Sequence, residues 1–77
     1  MAADLLKRIE ADPRIMLDKP VIKGTRIMVE IILRKLASQV SVSEILRDYP
    51  QLCEEDIKAA LLYAAEMLST EEVAPFA

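Results

Sequence analysis

The chain contains no histidine and no tryptophan, and only one cysteine (Cys53) and one glycine (Gly24) in 77 residues. Each shortage excludes something. A single cysteine makes no intrachain disulfide, and one thiol without histidine cannot complete a zinc site. General acid and base candidates shrink to carboxylates and two tyrosines, Tyr49 and Tyr63. The consecutive acids Glu54, Glu55 and Asp56 would fan around a helix instead of converging on a pocket. Cys53 precedes a helix that could lower a thiol pKa, but no partner base accompanies it. An enzyme is therefore the least favoured class, and no catalytic residue, metal, cofactor or small-molecule substrate is expected. No apolar run approaches the roughly 20 residues of a membrane span, and the first residues show no signal-peptide pattern. A reducing, cytoplasmic setting fits this inventory.

What is present is hydrophobic residue, at 53% of the chain. A domain this small buries only roughly 60% of the surface its unfolded chain exposes, so its own core is thin. With disulfide and metal excluded, oligomerisation is the remaining remedy, and a homodimer is expected. Charge is unevenly spread. Residues 1–35 hold eight Lys/Arg and five Asp/Glu, or +3; residues 36–77 hold two and eight, or −6; together they give the overall −3. A basic N-terminal surface and an acidic C-terminal one follow, although small proteins often vary this much along their length.

Residues 8–27 read as an extended segment. Asp12-Pro13 is a turn signal, Pro20 excludes a helix, and Val21, Ile22, Thr25 and Ile27 favour strand. Leu5 to Glu10 is compatible with a short helix or a strand. From Met28 the period changes: Val29, Ile32, Leu33 and Leu36 recur at helical spacing, predicting a helix over about 28–38. Ser41 and Glu44 form a capping box for a second helix over 42–48, which Pro50 terminates. A third helix over 54–68 opens on three acids that suit the positive end of its dipole. Its predicted core stripe is Ile57, Leu61, Ala64 and Leu68, widened by Ala60 and Met67. Leu62 and Tyr63 fall off that stripe, which marks them, with Glu66, as a dimer or partner face. Residues 1–4 and 70–77 read as loose termini of a single domain, with Phe76 free to dock or remain unpacked. The fold class is mainly α: a short N-terminal β segment or hairpin, then a three-helix, helix-turn-helix-like bundle.

The only glycine lies within KPVIKGTRI, a basic stretch that also holds Lys19, Lys23 and Arg26, with Arg14 just upstream. A phosphate loop is excluded, because the second glycine and the lysine-hydroxyl pair of a Walker loop are missing. Gly24 and Thr25 read instead as a structural turn or bulge. The three predicted helices have helix-turn-helix spacing, yet the third faces Lys58 with Glu54, Glu55, Asp56 and Glu66 and would be repelled by phosphates. Any DNA contact is therefore assigned to Lys19, Lys23, Arg26, Arg34 and Lys35. A solvated charged face is the plain alternative for the same residues.

Two runs, DPRIMLDKPVIKGTRIMVEIILRKLA and SVSEILRDYPQLCEEDIKAALLYAAEML, resemble domain-of-unknown-function family 433. The resemblance rests on Lys19-Pro20, Gly24-Thr25-Arg26-Ile27, Tyr49-Pro50 and Asp56-Ile57 taken together, and spans about residues 9–69. It implies a helix-turn-helix-like domain, often dimeric, regarded as the antitoxin of a toxin–antitoxin pair whose toxin is a PIN-like nuclease. Four positions depart from the family pattern. Asp18 and Gln39 replace glycines, Met28 replaces a proline, and Cys53 replaces a threonine cap. A residue other than glycine in the left-handed turn after helix one is strained by roughly 1 kcal/mol, and losing a hydroxyl cap costs about as much.

Three functional expectations follow. The first is an antitoxin-like, homodimeric regulator that binds a PIN-like nuclease, and operator DNA as well. Its acidic C-terminal segment (Glu66, Glu71, Glu72) would mask a metal-dependent or RNA-binding groove. The second is a helix-turn-helix DNA-binding module without a toxin. The third is a purely structural protein-interaction module.

Overall fold

The computed structural model describes residues 2–11 and 19–69. Asp18 and residues 70–77, with Glu71, Glu72 and Phe76, lie outside that range, as does Arg14. The elements are α1 (Ala2–Leu6), β1 (Ile9–Glu10), β2 (Val21–Ile22), α2 (Val29–Ala37), α3 (Val42–Asp48) and α4 (Glu54–Leu68). The mainly α class with an N-terminal hairpin is met. Where the sequence suggested a loose start, a one-turn helix forms and lies chiefly against α4. A five-residue helix is too short to persist alone in water, so α4 supplies what holds it.

The β segment is small. β1 and β2 pair antiparallel, Ile9 opposite Ile22 and Glu10 opposite Val21. Val21 also bridges Met28, so β2 is the middle of a three-segment ribbon. Within that ribbon residues 20–29 fold into a tight hairpin. Ile22 N–H donates to Ile27 O at 2.9 Å, and Val29 N–H to Pro20 O at 3.0 Å. The second of these bonds satisfies a donor at the start of α2, where Met28 has no side-chain cap to offer. Gly24 has φ +83, and Thr25 N–H donates to Ile22 O at 2.9 Å, the third-position glycine of a type II turn. The Thr25 hydroxyl donates to the same carbonyl (2.7 Å) and accepts from Ile27 N–H (3.0 Å), bracing the turn from within.

Helix α2 ends as its pattern predicts. Gln39 takes the left-handed conformation, φ 69. Gln39 N–H donates to Leu36 O and Val40 N–H to Lys35 O, both at 3.0 Å, which is a Schellman closure carried by a residue with a Cβ. Val40 then turns back onto the core. Ser41 and Glu44 make the reciprocal capping box of α3, each side chain accepting from the other's backbone N–H at 3.1 Å. The core runs through all these elements: Ile22, Ile27, Val29, Ile32, Ile45, Leu52, Ile57 and Ala60. Ile32 and Ile45 are wholly buried, and each such side chain contributes about 1.5–3 kcal/mol.

One expectation is corrected. The buried face of α4 is Asp56, Ile57, Ala59 and Ala60, with Tyr63 packed behind them, and not the stripe through Leu61 and Leu68. Leu61 is 49% exposed, Met67 64% and Leu68 77%. Alanines at 59 and 60 let neighbouring backbone approach closely, which leucines there would prevent, so α4 turns its small side inward. Tyr63 thus belongs largely to the chain's own core and not to an outer partner face; Leu62 is half-buried.

The two left-handed residues should respond in opposite directions. Gln39→Gly is expected to stabilise by about 0.5–1 kcal/mol, since the conformation is one that glycine takes freely. Gly24→Ala should destabilise by about 1 kcal/mol or more from its backbone alone, because an added Cβ meets nothing within 4 Å. Urea midpoints at unchanged m-value measure both.

Candidate functional site

The five cations assigned to DNA or partner contact do not form one surface. Lys19 Nζ lies 3.0 Å from Glu30 Oε1, and Arg34 Nε 3.1 Å from Glu30 Oε2. The Arg34 pair follows from its i, i+4 spacing on α2. Lys35 Nζ sits 5.9 Å from the Tyr49 ring centroid, within cation–π range. Lys23 and Arg26 are both exposed at the tip of the 20–29 hairpin, and neither forms an ion pair among the described residues. The expected basic patch is thus divided: two cations share one carboxylate and keep a net +1 between them, one lies over a ring, and two stand out from a tight turn. The two lysine and arginine bonds, Lys19 first, hold the Glu30 carboxyl below its ordinary range.

A second constellation was not singled out from the sequence. Asp56, only 5% exposed, sits in the first turn of α4. Its Oδ2 accepts from Cys53 N–H at 3.0 Å and from the Cys53 thiol at 3.5 Å; its Oδ1 accepts from Arg8 Nη1 at 3.1 Å. Arg8 Nη1 also approaches Cys53 Sγ at 3.6 Å. Cys53 therefore replaces a hydroxyl cap without reproducing it, and Asp56 supplies the reciprocal half of the box. The register Cys53-Glu54-Glu55-Asp56 carried that signal, an acid three residues after the cap. Arg8 is 48 residues away, and no local pattern pointed to it. The Asp56 bond raises the Arg8 pKa further, keeping the guanidinium charged.

Around this pair lies a hollow of about 350 Å³ lined by Asp4, Lys7, Arg8, Lys23 and Asp56. Arg8 is held there by two contacts from one face and by the backbone: Lys23 N–H donates to Arg8 O at 2.7 Å, which ties the hairpin turn to the N-terminal segment. A shallower groove of about 320 Å³ lies along α2, between Ile31, Arg34, Lys35, Ser38 and Val40.

The third feature is the end of α4. None of residues 61–68 is buried, and Leu61, Ala65 and Leu68 follow one another at i, i+4 and i+7 along one side. Met67 and Glu66 stand exposed beside them. Among the predicted partner residues, Glu66 is therefore on an open surface, whereas Tyr63 is not.

A family model described as "Protein of unknown function (DUF433)" matches residues 9–64, most of the chain. The chain belongs to the DUF433 family. No curated protein and no solved structure gives a significant match. The DUF433 match takes in the hairpin, α2, α3 and the packed part of α4. It stops at residue 64, one residue after Tyr63 makes the last core contact of α4. Of the exposed outer face of α4, Leu61 lies within the matched residues, and Ala65, Glu66, Met67 and Leu68 lie beyond them. No described helix of this DUF433 chain is long and apolar enough to cross a membrane.

Three expectations follow. Asp56→Ala should destabilise by about 1–2 kcal/mol, because it removes the acceptor of both the part-buried Cys53 N–H and the Arg8 guanidinium. Arg8→Gln should cost about 1 kcal/mol, since Arg8 is 42% exposed at its side chain and water can replace part of the loss. Chemical denaturation of both variants reads the difference. For Glu30, a lowered folded pKa means stability present above the ordinary carboxylate pKa and lost as pH falls through the folded value. Glu30→Gln should therefore flatten the acid limb of the stability profile below about pH 4.3 and leave the limb above pH 8 unchanged.

Proposed function

We propose that this chain is an antitoxin-type regulator that acts by binding, and that the outer half of α4 is its partner surface. The observation carrying this reading is the bare apolar end of that helix. Leu61, Met67 and Leu68 are 49%, 64% and 77% exposed, on a helix whose buried residues all fall between Asp56 and Ala60. An isolated helix gains little from extending two turns past its core in water, so the extension is accounted for by a surface that covers it.

Charge selects the occupant. No lysine or arginine follows Lys58, whereas Glu66, Glu71 and Glu72 do. Two copies meeting along this stretch would bring like charges together, while an apolar groove with a basic rim would complement it. An RNA-cleaving enzyme of the PIN-like kind, which the family resemblance implies as toxin, has to accommodate a polyanion and so fits that description. In this reading the carboxylates occupy the toxin's substrate groove, in a cytoplasmic complex. The homodimer anticipated from the small core is then built elsewhere or not at all. The DNA reading is weakened by Glu30, which offsets one of the two charges at Lys19 and Arg34; Lys23, Arg26 and Lys35 have no carboxylate partner among the described residues.

Co-expression with the product of the neighbouring gene, which the proposal requires to be a PIN-like nuclease, tests it. Wild type should co-elute with the nuclease and restore growth. Leu61→Lys combined with Leu68→Lys should abolish both at an unchanged urea midpoint, as should removal of residues 69–77. Co-elution and rescue that survive both changes would contradict the proposal. Sedimentation of the isolated chain at rising concentration checks self-association, and a mass that doubles through α4 and collapses in the double variant would reassign the surface to a second copy.

A further inference from the structure

The hollow beside Asp56 has no part in the α4 reading, and its residues point to a ligand of their own. Arg8 contributes only Nη1 to Asp56 and Cys53. Its Nε and Nη2 donors have no partner among the described residues and are left for a ligand, on a guanidinium that Asp56 already holds at one end. A fork held by a carboxylate on one side is preorganised on the other, so less rotamer freedom is lost when an oxyanion arrives. Lys7 and Lys23 reach the same hollow from α1's end and from the hairpin turn, two segments that the Lys23–Arg8 backbone bond keeps in register. Three cations and two carboxylates line a hollow of about 350 Å³, a net positive space with room for a phosphate group and part of the molecule that carries it. We infer that Arg8, flanked by Lys7 and Lys23, is a phosphate-group binding site oriented by Asp56.

The grip is made by side chains and is unrelated to the glycine-loop type of site that Gly24 fails to build. Asp4 lines the same hollow, with one oxygen 3.9 Å from Lys7 Nζ. Its charge opposes the ligand, so binding of a lone phosphate is expected to be weak. Free phosphomonoesters and nucleic-acid phosphodiesters share this chemistry, and the experiment separates them.

Backbone amide NMR shifts are followed while inorganic phosphate replaces chloride at constant ionic strength. Saturable shifts confined to residues 4–8, 22–25 and 53–56 are expected. Lys23→Gln, which leaves the Arg8–Asp56 pair intact, should weaken binding about tenfold, and Asp4→Asn should strengthen it several-fold. Arg8→Lys keeps the charge beside Asp56 but removes the fork, and should also weaken binding about tenfold with the folded spectrum retained. Ribose 5-phosphate and a short single-stranded oligonucleotide are then titrated in parallel. Tighter binding of the first assigns a small phosphorylated ligand, and of the second a nucleic-acid backbone; either supports the site. Linear, unsaturated shifts, an equal response to acetate, or undiminished binding in Lys23→Gln and Arg8→Lys would overturn it.

Discussion

Asp56 is where the two parts of this small chain are joined. Its carboxylate closes the first turn of α4 by accepting from Cys53 N–H and reaches outward to Arg8, 48 residues earlier. Burial of a carboxylate is unfavourable unless each lone pair finds a donor, and here a backbone amide and a guanidinium supply them. With Arg8 fixed, its carbonyl receives Lys23 N–H, and the hairpin is set against the N-terminal segment. That contact adds to the packing of α1 on α4 and to the backbone pairing of β1 with β2, which hold the same arm. A core of this size has little stability to spare, so a single long-range tie has a large share in holding the arm down.

The two sides of α4 divide the protein's tasks. Ala59 and Ala60 are wholly buried and let the other elements close in, while the leucines face out. A helix built only for the chain's own core would place them the other way round. Since the α4 sequence is apolar on more than one side, its bulk is available to a partner once the small side has been used at home. The acidic run that follows Lys58 then gives that partner a sign.

Local chemistry made much of the fold legible. The Ser41–Glu44 box, the left-handed Gln39 and the Thr25 turn are each written within four residues, and each appears where its pattern placed it. The boundaries of α3 and α4 follow from caps and from Pro50 in the same way. The orientation of α4 was not legible, because helical periodicity cannot choose between two apolar faces; packing distance chose the alanines. Nor was Arg8, whose partner is close only in three dimensions. The cations at 19 and 34 illustrate a third kind of failure. Charge composition counted them as available, whereas Glu30 lies between them and takes both.

The claim that Asp56 joins the arm to the bundle is tested most directly by residue-resolved amide exchange of wild type and Asp56→Asn under native conditions. The account predicts that the Lys23 amide, which donates to Arg8 O, and the paired amides of β1 and β2 lose protection together in the variant. Amides in the middle of α2 and α3 should keep theirs, since those helices pack through Ile32 and Ile45 without the arm. Protection of the Lys23 amide that is unchanged, or that falls only in step with every helix, would contradict it.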